Sequence, residues 1–237
     1  MRDRLAFLFL LTCVVAGQTV SPGAVPITNE PSHHLALENE YVRAFKVEVA
    51  PRAATLMHRH ENDYVFVTLG DSQVSNERQG EKPVTLKLKD GETRFTKGGF
   101  AHVARNLSQQ PFRNVTVEIL IPSGAYICGA GQGVCGGGAG GVSDGGGWNW
   151  NSITESDKFL VRRVAIGPGA TIPLHEHKGP HLVVAITDLH IRNDVEGKQP
   201  AEIEAKKGDI NWVPGGFKHS VTNVGKEPAR FVTIEFK

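Results

Sequence analysis

Two sets of histidines stand out in this sequence of 237 residues. His58 and His60 are two apart, and His102 follows 44 residues after the first of them. His175, His177 and His219 repeat the same spacing. On a β-strand, residues i and i+2 point to one face, so each His-x-His pair can direct two imidazoles at a single point. A third imidazole from a neighbouring strand completes a facial set of neutral ligands suited to a first-row divalent ion, with positions left open for substrate. The expected cofactor is a divalent metal, with Fe, Mn, Zn and Ni all compatible with the donors.

The elements that position these residues form an internal repeat. Shifted by 117, residues 47–120 fall on 164–237 without a gap. His58 meets His175, His60 meets His177, His102 meets His219, Asn106 meets Asn223, and Pro111–Glu118 lies over Pro228–Glu235. A period of this length indicates two copies of one domain. Alternation in Ala44–Ala50, Val84–Gly91 and Phe231–Lys237 reads as strand, and Gly, Pro, Asn and Asp separate such runs. The expected class is all-β, with a first barrel over 38–121, a glycine-rich linker over 122–157 and a second barrel over 158–237.

The motifs resemble those of the cupin superfamily. Its first motif carries His-x-His, a glutamate four residues on and a later glycine. Its second carries Gly, Pro-x-Gly, His and Asn at fixed spacing. The second copy holds the latter intact as Gly208, Pro214, Gly216, His219 and Asn223, whereas the first has Lys97 at the proline position. The first motif ends on Gly70 in one copy and on Thr187 in the other. The resemblance implies two tandem antiparallel double-stranded β-helix barrels of jelly-roll type. It spans enzymes, storage proteins and binding domains, so it specifies fold more than function.

The family glutamate is replaced by Tyr64 in one copy and His181 in the other. His181 is therefore a candidate fourth ligand or a proton-transfer group. Tyr64, with a phenol of pKa ~10, is a poor ligand and a candidate for orienting substrate or donating a proton, or simply a barrel aromatic. An ion held by neutral imidazoles keeps its charge, favours anionic bidentate ligands and lowers the pKa of bound water. Cupins with three or four histidines include iron dioxygenases and lyase- or isomerase-like enzymes using other metals. The expected function is thus a mononuclear metalloenzyme, dioxygenase-like, acting on a small anionic molecule. The alternatives are a non-oxidative isomerase or lyase, and a binding protein without turnover.

Other features narrow the setting. A net charge of +1 gives no electrostatic case for nucleic acid. Arg2 and Arg4 precede an apolar stretch, Leu5–Ala16, too short to span a bilayer, so 1–17 reads as a signal peptide and the mature protein as secreted or periplasmic, free of the membrane. Cys128 and Cys135 are expected to pair in that compartment. Trp148 and Trp150 end the glycine-rich segment and are expected to dock it on a barrel, or else to line a ligand entrance. Asn106 and Asn223 are expected to cap turns, His190 to lie at the surface, and His33 and His34 to have no chemical part. Resembling two-domain proteins pack their barrels against each other, so a monomer or a homodimer is expected.

Overall fold

The strand Val42–Val49 shows how local pattern becomes structure. Phe45, Val47 and Val49 are buried on the face turned to the barrel interior, and Val42 and Ala44 on the opposite face, which reaches solvent further along at Lys46 and Glu48. Such strands make up nearly all the regular structure of the computed structural model, which describes residues 23–128, 135–136, 140–142 and 147–237. One 3-10 turn, Ile27–Asn29, is the sole helical element among them. The expected signal peptide, and the side chains of Cys128 and Cys135, lie outside the described residues.

Each copy folds into two facing, mainly antiparallel sheets. In the first, His58–His60, Phe100–Asn106, Ser72–Arg78 and Val84–Leu88 lie side by side, with Val25–Pro26 on the edge. Opposite them run Thr93–Thr96, Tyr64–Thr68, Phe112–Ile119, Val42–Val49 and His33–Glu38. In the second, Thr171–His177, Phe217–Asn223, Leu189–Val195 and Ala201–Ala205 face a sheet containing Trp148–Ser156, Phe159–Ile166, Ala229–Phe236, His181–Ala185 and Ile210–Val213. Every strand from Val42 to Ile119, the short His58–His60 strand excepted, has a counterpart in the second copy whose two ends are displaced by 117 residues. The repeat in the sequence is thus a repeat in space.

It also reaches further upstream than the residue identities. Trp148–Ser156 falls in the segment expected to be linker, yet it pairs along Phe159–Ile166 as a full strand of the second barrel. Its register matches that of His33–Glu38 on Val42–Val49: Trp150 opposes Val164 as His33 opposes Val47. Even the register shifts correspond, between Leu35 and Leu37 in one and Ser152 and Thr154 in the other. Hydrogen-bond register carries this equivalence with a single identical residue, Glu38 and Glu155, between the two strands.

The barrels pack face to face. One apolar cluster joins Val65, Val67 and Phe95 of the first to Phe159, Leu182 and Ile234 of the second. The contact is quasi-symmetric. Gly91 abuts Ile186, and its counterpart Gly208 abuts Leu69, the counterpart of Ile186. On the pseudo-twofold axis, Asp90 meets its own counterpart, Lys207, at 2.6 Å, and Arg230 joins Asp90 at 2.5 Å. Two identical copies would place like charges there, so divergence at this position favours pairing within one chain.

Candidate functional site

Each third histidine is set opposite its His-x-His pair by strand register. His58 faces His102, and His175 faces His219, across antiparallel pairs. The turn leading into that strand is fixed by two glycines in each copy. Gly216, at φ +82°, takes a left-handed conformation and donates its N–H to the His177 carbonyl at 2.7 Å. A side chain on Gly215 would meet the Gly179 backbone at 2.3 Å, so only glycine fits there. Asp63 does not enter the first site; it accepts the Gly98 N–H in the equivalent turn.

The result is two convergent triads. In each of His58, His60, His102 and His175, His177, His219, one ring nitrogen per residue lies within 4.8 Å of the others. The far nitrogens are tied back. His58 Nδ1 bonds the Leu56 carbonyl at 2.9 Å and His175 Nδ1 the Pro173 carbonyl at 2.8 Å. His102 Nδ1 meets Asn76 Oδ1, and His219 Nδ1 meets Asn193 Oδ1, both at 2.6 Å. Backbone carbonyls only accept, so His58 and His175 carry their protons on Nδ1 and turn bare Nε2 lone pairs to the centre. Nε2 atoms stand 3.2 Å apart for His60 and His102, and 3.0 Å apart for His175 and His219. Two nitrogens at right angles, each about 2.1 Å from an ion, are about 3.0 Å apart. His58 Nε2 is buried without a partner. Both triads fit a divalent cation.

Electrostatics agree with neutral imidazoles. Burial pushes His58 down to about 4, reinforced by the charge of His33, and His219 down to about 3, reinforced by its neighbouring histidines. His60 and His102 lie well below their ordinary value, again through burial first. Glu235 sits beside the second triad, 3.2 Å from His177 Nδ1. Its burial opposes ionisation, but the neighbouring His177, with Arg162, holds its carboxyl below the ordinary range. Its counterpart Glu118 is instead pushed up by burial, partly offset by Arg43.

His181 and Tyr64 take matching places behind the triads. His181 stacks on His177 with centroids 4.2 Å apart, and Tyr64 on His60 at 4.1 Å. Neither belongs to the convergent set of ligand nitrogens. His181, depressed to about 4 by burial and then by His177, has an unpartnered Nδ1. Tyr64 is raised to about 12 by burial, against a hydrogen bond with Thr96.

His33, given no chemical part above, is at the first site. Its ring centroid is 4.8 Å from that of His58, and its Nδ1 meets the buried Glu30 at 2.6 Å. The edge strand His33–Glu38 carries it there, a placement that depends on long-range pairing. Trp148 and Trp150 both belong to a barrel strand and line its cavity. Asn106 and Asn223 do cap turns: Asn223 Nδ2 bonds the Ile166 and Glu227 carbonyls at 2.9 and 2.8 Å. His190 is a surface residue paired with Glu202.

The cavities above the triads differ in size. The second barrel encloses about 410 Å³ and the first about 70 Å³. The cause is visible residue by residue across the repeat. Phe66, Leu88 and Phe112 fill the first cavity, and their counterparts are Val183, Ala205 and Ala229. A cavity of about 150 Å³ suffices for benzene, so the second barrel admits a ring and the first does not.

Comparison with known proteins matches these features. Residues 162–235 match a family model described as a cupin domain. A curated relative, the xanthan biosynthesis protein XanB of Xanthomonas campestris pv. campestris, is 26% identical over 88 residues, 36% of this chain and 18% of that protein. Among solved structures, AerE of Microcystis aeruginosa aligns with TM-score 0.61 at 14% identity, covering 88% of this chain and 98% of its own. A putative glyoxylate-induced protein of Pseudomonas aeruginosa gives 0.64 at 16%, covering 86% and 77%. An oxalate decarboxylase variant of Bacillus subtilis gives 0.58 at 15%, covering 86% and 75%. At such identities the likeness is one of fold. The chain has the fold of two cupin barrels in tandem, and the match to the cupin-domain model falls on the second of them.

Proposed function

We propose that this protein is an exported mononuclear metalloenzyme whose second barrel holds a divalent ion on His175, His177 and His219 and acts on a small organic anion. The observation that carries the reading is the placement of a carboxylate-free triad at one end of a 410 Å³ cavity. Bound there, the ion supplies a Lewis-acidic centre and, as iron, a redox centre for dioxygen chemistry. The protein's own groups hold His175 and His219 in one tautomer through Pro173 and Asn193, and His181 stands beside them to hold or move a proton. A dioxygenase is the first choice, because neutral ligands leave the ion's charge available to an anionic substrate. Non-oxidative chemistry is favoured by one feature, the neutral His181 at the cavity wall. The fold likeness to Bacillus subtilis oxalate decarboxylase, a protein with Mn(II) centres, makes manganese a candidate beside iron, zinc and nickel. The smaller first site serves as a second, closed metal site.

Elemental mass spectrometry on anaerobically purified protein tests this. We expect one equivalent of metal lost with His175→Ala/His177→Ala, and a second lost with His58→Ala/His60→Ala. Iron directs the next assay to oxygen consumption, and manganese, zinc or nickel to decarboxylation and isomerisation. Wild type that holds no metal, and takes none up on reconstitution, overturns the reading. The mass of the purified N-terminus shows in the same preparation whether residues 1–17 are removed.

A further inference from the structure

The wall of the second cavity carries a cation that is not one of the triad's ligands and forms no salt bridge among the described residues. Arg162 lies on Phe159–Ile166, opposite Thr233, and faces the cavity beside Trp150. Its guanidinium carbon sits 4.7 Å over the Trp150 ring. Its Nε is buried and makes no hydrogen bond. Among the described residues it has no carboxylate within salt-bridge distance; Glu235, on the neighbouring strand, is engaged by His177. A guanidinium stays charged at any ordinary pH, and withdrawing its N–H groups from water without an acceptor is costly. The surrounding wall is apolar: Val164, Val183, Leu189, Ile191 and Phe231 line it, with Leu174 and Ile203 exposed at the surface nearby.

The repeat supplies an internal control. At the position of Arg162 the first barrel has Phe45, fully buried, and at the position of Trp150 it has His33, packed edge-on to Phe45. The two barrels therefore share the triad and differ in this pair. The pair that includes a cation stands in the barrel with room for a ligand.

We propose that Arg162 is the anion-recognising residue of the second barrel, and that this cavity takes a carboxylate with an apolar body about the size of a phenyl ring and a short chain. The proposal rests on the reading that this cavity is the ligand site, and it deepens that reading by naming the substrate class. Arg162 offers Nε and an Nη to the two carboxylate oxygens in the fork geometry that guanidinium and carboxylate share. Trp150 holds the fork flat from one side, as a stacked aromatic does for arginine. The apolar body then lies along Val164, Val183 and Phe231, where burial is favourable without further polar partners.

The test uses 3-phenylpropionate and its neutral counterpart 3-phenylpropanamide, titrated calorimetrically into metal-free and metal-loaded protein. A charge-assisted hydrogen bond contributes about 1.5–3 kcal/mol, so wild type should prefer the acid by roughly 10- to 100-fold in both forms. Arg162→Met should bind acid and amide within about threefold of each other, because the preference derives from a single group. Its circular dichroism and metal content should match wild type, since no hydrogen bond joins the residue to the triad, whose ring nitrogens are held by Pro173 and Asn193. Retention of the full acid preference by Arg162→Met overturns the proposal. So does an acid preference confined to the metal-loaded form, which would assign the anion to the ion and leave the metal reading standing. Failure of the wild type to bind either probe in either form also overturns it. Conversely, protein that takes up no metal but shows the Arg162-dependent preference keeps this proposal and removes the metalloenzyme.

Discussion

Protein carrying Val183→Phe and Ala229→Phe keeps its metal and loses its ligand. The two substitutions write the first barrel's residues, Phe66 and Phe112, into the second. Val183 lines the large cavity and Ala229 lies buried just behind it, so two phenyl rings enter the space now open above the triad. The backbone at both positions already accommodates phenylalanine in the other copy, which makes severe strain unexpected. Overpacking still costs about 1–3 kcal/mol where neighbours must shift. We expect affinity for any ring-sized ligand, and turnover of it, to fall at least ~100-fold, because a filled site excludes the ligand rather than weakening one contact. Metal stoichiometry should not change, since neither residue touches the histidines' ligand nitrogens. Calorimetry and elemental analysis on one preparation measure both. Unchanged ligand affinity would show that this cavity is not where the ligand binds. The reverse exchange, Phe66→Val with Phe112→Ala, should open the first barrel at a stability cost of about 2–5 kcal/mol, the usual cost of a core cavity.

The two barrels, set side by side, also separate what residues reveal from what only folding reveals. The offset of 117, the two His-x-His pairs and the paired third histidines carry the triads entirely, because strand periodicity turns spacing into direction. Asn76 and Asn193, which orient the third histidines, also stand 117 apart and are accessible to the same reasoning. The strand Trp148–Ser156 is not: glycines run up to it, and Glu155 is the one residue it shares with His33–Glu38 beyond hydrogen-bond register. His33 and Arg162 escape sequence reasoning for a related cause. Both lie upstream of the stretch where the copies resemble each other, and a lone histidine or arginine on a strand does not announce which face it takes. The difference between the barrels resides in substitutions of size, and these have meaning only once one knows which side chains face a common space.

Acid should unfold the metal-free protein well before its carboxylates titrate. In the native state burial depresses His58 and His181 to about 4 and His219 to about 3, whereas in the unfolded chain each titrates near 6.5. Between those values the unfolded chain binds more protons, so stability falls as pH falls. The contribution is full above pH 6.5 and lost progressively down to the folded-state values. His58 accounts for about 3 kcal/mol of this, since each tenfold loss of proton affinity on folding corresponds to roughly 1.4 kcal/mol. His181 and His219 act in the same direction, with part of their effect screened by solvent. The carboxylates held low in the native state, Asp90 and Glu235 among them, titrate in the unfolded chain at 3.8 and 4.5. They therefore add little above pH 5, and the window from 6.5 to 5 isolates the imidazoles. We expect the urea midpoint of chelator-treated protein to drop steadily through that window, and His58→Gln to drop less steeply because it removes one of the buried imidazoles responsible. Metal should flatten the curve by holding the imidazoles deprotonated, and be released as protons begin to compete. A midpoint that stays level from pH 7.5 to 5 in the metal-free protein would mean that the triads are open to water, and that their nitrogens are not held bare and convergent for an ion.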